Sequence, residues 1–250
     1  MSSISLNHIC KNFSGSPTVA DVSLNIKSGE FVTVFGPNGC GKSTLLSIIA
    51  GLEKPDSGSI AIEGTARNNP RIGFVFQNYN ESMLPWRTVG GNVEIAFEAL
   101  GIPKNERRKK AARLLETVGL ANKYDEYFHS LSGGMKQLTA ICRAFAQSPD
   151  ILLLDEPFSA LDYSATRSME MELLRIWEES GCTAICVSHD IDEAIFLADR
   201  VVALSPRPAA IRGIIQVDLP RPRSQDMLAS EYFFALRNEL LRLFDYEARQ

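Results

Sequence analysis

Apolar and polar positions alternate through the first sixty-odd residues, as in Thr18-Val19-Ala20-Asp21-Val22-Ser23-Leu24-Asn25-Ile26 and Ser59-Ile60-Ala61-Ile62. A period of two marks strands with one buried face, so the pattern predicts an antiparallel β patch at the N-terminus. Three short runs, residues 31–35, 151–154 and 183–187, read instead as continuously apolar. Such runs suit central parallel strands covered on both faces. Between residues 88 and 130 the apolar positions recur at helical spacing (Val93, Phe97, Leu100, then Leu114, Leu115, Val118), broken by Gly101-Ile102-Pro103. This stretch reads as a helical insert, and with the helix after it as a helical subdomain over residues 88–147. Leu228, Tyr232, Leu236, Leu240 and Phe244 recur every four residues and predict an amphipathic closing helix packed on its own domain. The Pro/Arg-rich residues 206–223 read as an extended crossover opening a C-terminal extension over 206–250.

Composition narrows the class. The 250 residues are 45% hydrophobic and 22% charged, ordinary globular proportions that fit a single domain over residues 1–250 and argue against disorder. No apolar stretch approaches the roughly 20 residues that cross a bilayer. Residues 1–10 lack the basic start and apolar middle of a secretory signal, so a cytoplasmic location is expected. Five scattered cysteines, an odd count, argue against a disulfide framework and a four-ligand zinc site. A net charge of −4 offers no broad basic surface, and no nucleic-acid partner is expected.

Gly36-Pro37-Asn38-Gly39-Cys40-Gly41-Lys42-Ser43-Thr44 fits the phosphate-loop pattern G-x-x-x-x-G-K-[ST], preceded by an apolar strand and followed by the apolar helix of Leu45, Leu46, Ile48 and Ile49. Its glycines let backbone N–H groups and a helix N-terminus converge on phosphate oxygens. Lys42 adds a mobile positive charge and Ser43 a hydroxyl for Mg²⁺. Nucleotide binding is the expectation. Leu131-Ser132-Gly133-Gly134-Met135-Lys136-Gln137 opens another helix, so Ser132, Gly133 and Gly134 form a second anion cradle, without a lysine. The strand over residues 151–154 ends in Asp155-Glu156, where open α/β sheets bind their ligands.

In order, residues 36–44, Gln77, residues 131–137, Ile151-Leu152-Leu153-Leu154-Asp155-Glu156-Pro157, Ser159-Ala160-Leu161-Asp162 and Ser188-His189-Asp190 resemble the ATP-binding-cassette ATPases over nearly the whole chain. Leu138-Thr139 departs from the family pattern, which often has an arginine there. Met83-Leu84-Pro85-Trp86-Arg87-Thr88-Val89, Pro206-Arg207-Pro208 and Leu219-Pro220-Arg221-Pro222-Arg223 are similar to the cassettes of nitrate, sulfonate, taurine and bicarbonate importers, a group that includes some thiamine-precursor importers. The resemblance implies an α/β fold: a P-loop NTPase core with a mostly parallel sheet, an N-terminal antiparallel β subdomain and a helical insert. It implies ATP and Mg²⁺ as ligands. Asp155 and Ser43 would hold Mg²⁺ with Gln77, Glu156 would polarise the attacking water, and His189 would reach the γ-phosphate. Phe13 would stack on adenine.

The resemblance further implies two copies. Lys42 and Ser43 of one face Ser132, Gly133 and Gly134 of the other, and Asp162 passes between the sites, in a homodimer or a pairing with a related cassette. Permease subunits would dock in the cleft beside the helical insert and an extracytoplasmic solute-binding protein would deliver solute, which places the chain peripherally on the cytoplasmic face of the plasma membrane. Because the sequence stops soon after Arg223, no large regulatory domain is expected. A soluble, non-transport cassette ATPase is the alternative, but the coiled-coil or zinc-hook insertions of repair ATPases and the tandem cassettes of translation factors are not in this sequence. A purely nucleotide-sensing module would be expected to lose Lys42, Glu156 or His189, all of which are present. Cys40 reads first as a small loop residue, with a reactive thiolate at a helix N-terminus as the alternative; Cys182 and Cys186 read as core. Six basic residues between Lys104 and Arg113 read as a solvated helix face.

Overall fold

A computed structural model describes residues 2–64, 69–78, 82–159 and 161–245. Ala160 of the predicted Ser159–Asp162 motif and residues 246–250 of the predicted extension therefore lie outside the described residues. Strands β1 (Ser3–Phe13) and β2 (Ser16–Ile26) form a hairpin around Ser14-Gly15. Both turn residues have positive φ, +48° and +79°, the twist-matched geometry that two-residue hairpin loops favour. With β4 (Ser57–Glu63) they make the predicted antiparallel sheet in the order β2-β1-β4. The hairpin carries Phe13 at its tip.

The second sheet runs β5-β6-β7-β3-β8-β9. Its first five members, β5 (Ile72–Val75), β6 (Ile151–Asp155), β7 (Thr183–Ser188), β3 (Phe31–Phe35) and β8 (Arg200–Leu204), are mutually parallel. Every residue of β6 and β7 is buried, as their unbroken apolar runs require. Successive side chains of a strand point to opposite faces, and the core divides accordingly. Ile151, Leu153, Ile185, Val187, Val32 and Val34 face helix α1 (Lys42–Ile49) and the antiparallel sheet. Leu152, Leu154, Ala184, Cys186 and Phe31 face the remaining helices.

Those helices include α2 (Val89–Ala99) and α3 (Lys104–Thr117), separated at Gly101-Ile102-Pro103 as the periodicity predicts. Thr88 Oγ1 caps α2 by accepting from Gly91 N. Gly90 is required there, because a Cβ would stand 2.3 Å from the Tyr124 ring. Helix α4 (Gly133–Ala146) follows, then α5 (Tyr163–Ser180), capped by Asp162 and ended by Gly181 at φ +65°. Helix α6 (Ile191–Leu197) leads back to β8.

The reading of residues 206–223 as an extended crossover needs correction. Residues 206–210 and 217–223 are irregular, but between them Ile211–Gln216 forms strand β9, antiparallel to β8. The six-residue run carries a central Gly213 and has exposed positions at its outer edge, so its period-two signal is weak. The following Leu219-Pro220-Arg221-Pro222-Arg223 is a structural fastening. Buried Arg223 donates to the carbonyls of Phe196, Ala198 and Leu219, and Arg221 to Asp199 at 2.8 Å and Leu197 O at 2.8 Å. Helix α7 (Glu231–Asp245) packs against α6 and β9 as predicted. Its buried stripe is Phe233, Leu236 and Leu240, however, whereas Tyr232 is half-exposed and uses its hydroxyl oxygen to accept from Asp218 N.

Candidate functional site

The site follows from strand order. Loops leaving the carboxyl ends of β5, β6, β7 and β3, four neighbours in the sheet, carry Gln77, Glu156, His189 and the phosphate loop. They converge on an open cleft of about 560 Å³. Its phosphate-loop wall consists of Asn38, Gly39, Gly41, Lys42, Ser43 and Thr44, and Phe13, Gln77 and Glu156 complete the predicted part of the lining. Gly41 sits at φ +123°, and a Cβ there would lie 2.7 Å from Thr18 O, so both backbone strain and space demand glycine. Gly36 packs under the loop against Leu204, and Pro37 accepts from Cys40 N at 3.3 Å.

Glu156 is the hub. Its carboxylate accepts from Gln77 Nε2 at 3.2 Å, stands 3.1 Å from His189 Nδ1, and lies 3.7 Å from Lys42 Nζ. The residue has φ +45°, a conformation rare outside glycine, held by Glu156 N donating to Val187 O at 3.0 Å. Strain of this kind costs on the order of 1–3 kcal/mol, and here it turns the carboxylate towards the cleft. Lys42 is buried and donates to Gly36 O at 2.8 Å and Pro37 O at 3.0 Å, so its ammonium is held by its own loop.

Ser43 Oγ donates to Asp155 Oδ1 at 2.9 Å. Burial pushes the Asp155 carboxyl above its usual range, as does nearby Glu156, while the Ser43 hydrogen bond and the Lys42 charge pull the other way. Hydroxyl, carboxylate and the Gln77 amide are hard oxygen donors suited to Mg²⁺, an ion that keeps several waters and takes the rest of its shell from phosphates. The residues present fit that ion.

Phe13 is 42% exposed, which excludes the core role open to any phenylalanine of an apolar chain. Cys40 is different. Its side chain is 1% exposed beneath the loop, and burial raises its thiol pKa despite the nearby Lys42 charge. The thiolate alternative is thereby overturned: desolvation outweighs the cation and the helix N-terminus. What Cys40 can present to a ligand is backbone.

Ser132, Gly133, Gly134 and Asp162 do not line this cleft. Ser132 Oγ accepts from Met135 N at 3.4 Å at the start of α4, and Asp162 Oδ1 from Ala165 N at 2.9 Å at the start of α5. Ser132, Gly133 and Asp162 are exposed. Two lining residues escaped the sequence reading, Thr18 and Arg207. Arg207 follows β8, the other neighbour of β3, so the loop after β8 emerges beside the phosphate loop. Recognising Arg200–Leu204 as a further buried strand would have found it.

Comparison with known proteins agrees with this geometry. The family described as ABC transporter matches residues 19–159. The nitrate import ATP-binding protein NrtC of Synechococcus elongatus is 47% identical over 92% of this chain, and the bicarbonate transport ATP-binding protein CmpC of the same organism 43% over 91%. The chain spans 35% of the length of each. An ABC transporter ATP-binding protein of Methanocaldococcus jannaschii is 43% identical, with 91% of this chain and 84% of that protein aligned. A bacterial ABC transporter cassette solved as a dimer superposes with a TM-score of 0.75 at 32% identity, covering 87% of this chain and 100% of that one. The same cassette in a post-hydrolysis state, bound to ADP and Pi, superposes with a TM-score of 0.71 at 33% identity over 83% of this chain and 98% of that one. With the phosphate loop, the strand order and these relatives in agreement, the chain belongs to the ATP-binding-cassette (ABC) transporter family.

Proposed function

We propose that this chain hydrolyses ATP with Mg²⁺ as the cassette subunit of an importer for a small solute. The observation that carries the reading is the Glu156 carboxylate, held between Gln77, His189 and Lys42 at the mouth of a phosphate-loop cleft. Phe13 offers a ring to stack on adenine. Backbone N–H groups of residues 38–44 and the Lys42 side chain bind the phosphates, with the Lys42 ammonium exchanging its loop carbonyls for phosphate oxygens. Ser43, Asp155 and Gln77 would hold Mg²⁺, which when bound neutralises charge on the β- and γ-phosphates. Glu156 accepts the proton of the attacking water, oriented by Gln77, and His189 donates towards the γ-phosphate.

Ser132, Gly133 and Gly134, which lie outside the cleft lining with Ser132 and Gly133 exposed, serve the site of a second cassette, with Asp162 between the two sites. A permease subunit docks in the cleft of about 590 Å³ where Ile72, Phe74 and Phe76 at the sheet edge face Ile95 and Leu100 of the helical insert. That subunit spans the membrane; among the described residues no helix is long and apolar enough to do so. The cassette then lies peripherally on the cytoplasmic face, with an extracytoplasmic binding protein feeding the permease. The similarity to NrtC, a nitrate import protein, and CmpC, a bicarbonate transport protein, favours a small oxyanion as solute.

Single-turnover hydrolysis by Glu156→Gln tests the chemistry. Loss of a positioned base predicts a rate lower by about 10²–10⁴ with MgATP binding retained. A rate within about threefold of the unmodified chain overturns the role of Glu156. Co-purification of the tagged chain from its native membrane tests the transport half: a multi-span partner that alters hydrolysis supports it, and recovery of soluble partners alone overturns it.

A further inference from the structure

The loop between β8 and β9 is built as a bracket for one side chain. Ser205 closes its base: Ser205 N donates to Ala210 O at 2.9 Å, and Ser205 Oγ accepts from Ala210 N at 3.0 Å while standing 2.8 Å from Pro208 O. The far side of the bracket is fastened to β2, where Ala209 N donates to Thr18 O and Ala20 N to Ala209 O, at 2.8 and 2.9 Å. Ala209 and Thr18 in turn abut Gly41 so closely that a Cβ there would collide with Thr18 O. The bracket is therefore packed against the phosphate loop, and it presents Arg207 to the same cleft as Phe13 and Lys42.

Arg207 is fixed in direction but not used up. Its Nε donates to Pro17 O at 3.0 Å and one terminal nitrogen to Thr18 Oγ1 at 2.7 Å. Neither acceptor is a carboxylate, so no partner anion compensates the guanidinium, and N–H donors remain on its other terminal nitrogen. No ion pair with an acidic residue is found for it among the described residues, in contrast to Arg200 and Arg221 on the same sheet edge and tail. A cation with an exposed face, oriented by neutral acceptors at the wall of an anion site, is arranged to take charge from the ligand.

We propose that Arg207 is a nucleotide-binding residue, a second cation after Lys42 that contacts the phosphate–ribose portion of the bound nucleotide. The inference rests on the nucleotide reading of the cleft. Arg207 is anchored to Pro17 and Thr18 and shares no contact with the Gln77, Glu156 and His189 cluster, so it acts on binding and treats ATP and ADP alike.

Isothermal titration of the full chain with MgATP and MgADP separates the outcomes. Arg207→Gln is expected to weaken both nucleotides by about tenfold and by equal factors, with Arg207→Lys recovering part of the loss, since charge survives and the planar fork does not. The thermal midpoint of the nucleotide-free chain is measured beside it. A lowered midpoint with affinities unchanged within about twofold overturns the proposal and leaves Arg207 as a fastening of β2 alone. Failure of the unmodified chain to bind either nucleotide overturns the nucleotide reading itself and is read independently of the variants.

Discussion

Cys40 shows how two influences on one group are weighed. A helix N-terminus and Lys42 both favour thiolate, but the side chain is 1% exposed and desolvation wins, raising its pKa. Cys142, Cys182 and Cys186 are likewise buried, and burial raises each thiol, Cys142 to about 12. Cys10 alone of the five has intermediate exposure. Brief alkylation of the native chain followed by peptide mass spectrometry should therefore find one fast site, Cys10. Labelling of Cys40 at a comparable rate, suppressed by ATP, would restore the reactive-thiol idea. Opposite logic applies to Glu156, whose strained backbone is retained because it aims a carboxylate that three other side chains surround.

At the scale of elements, α5 and α6 share a buried acid pair that the chemistry does not use. Glu193 of α6 is pushed up to about 8, chiefly by burial and then by Glu170; Glu170 of α5 reaches about 7, chiefly by burial, offset by Arg167. Arg167 of α5 donates to Glu170 at 2.7 Å, while Ser188 of β7 and Asp190 and Asp192 at the α6 start are the other polar neighbours. The folded chain then keeps protons that the unfolded chain releases near 4.5. Stability should fall as pH rises from about 4.5 to about 8 and level off beyond, since folding takes up protons throughout that window. Glu193→Gln should raise the thermal midpoint at pH 8.5 by at least about 2–4 °C, the shift from 1 kcal/mol in a chain this size, and should change it little at pH 4.5. An equal shift at both pH values would assign the effect to packing. Arg223 is a buried cation of a different kind, satisfied by backbone carbonyls. Its Ala variant would strand the carbonyls of Phe196, Ala198 and Leu219 and should cost roughly 2–4 kcal/mol in denaturant titration; a loss below about 0.5 kcal/mol would show that water replaces it.

These elements also mark what the sequence made legible. Strands β3, β6 and β7 and the helices α2 and α3 were readable because burial on both faces, or on one stripe, leaves a long uninterrupted pattern. Strands β5 and β9 were not, being short edge elements in which Gly73 and Gly213, and in β9 the exposed Ile214 and Gln216, dilute the period. The phosphate loop was legible because its geometry admits few residues, as the φ and crowding at Gly41 show. Arg207 was hidden because its place depends on β8 lying beside β3, a pairing of residues more than 160 apart. The Leu219–Arg223 segment was visible as a motif, but its work, capping the carboxyl end of α6 with guanidinium groups, depends on contacts that no local pattern encodes.

The whole molecule holds two anion cradles that do not meet. One, the phosphate loop, lines a cleft with Gln77 and Glu156; the other, at the start of α4, presents Ser132 and Gly133 to solvent. A helix N-terminus carries partial positive charge, and leaving it exposed is useful when a ligand or a partner's ligand arrives there. In the proposed reading, two copies placed head to tail would supply each cleft with the cradle it lacks; the solved cassette this fold matches is a dimer. Association should then depend on the γ-phosphate, which in that arrangement would lie between one cleft and the cradle of the other copy. Glu156→Gln, able to bind but slow to hydrolyse, should run as a dimer in size-exclusion chromatography with MgATP and as a monomer with MgADP. Adding Ser132→Arg should abolish that dimer while leaving MgATP affinity of the monomer intact, because the cradle belongs to the facing site. Loss of the cap costs only about 1 kcal/mol, so the variant remains folded. A dimer that persists in the double variant, or that forms equally well with MgADP, would mean that the α4 cradle is not what closes the site.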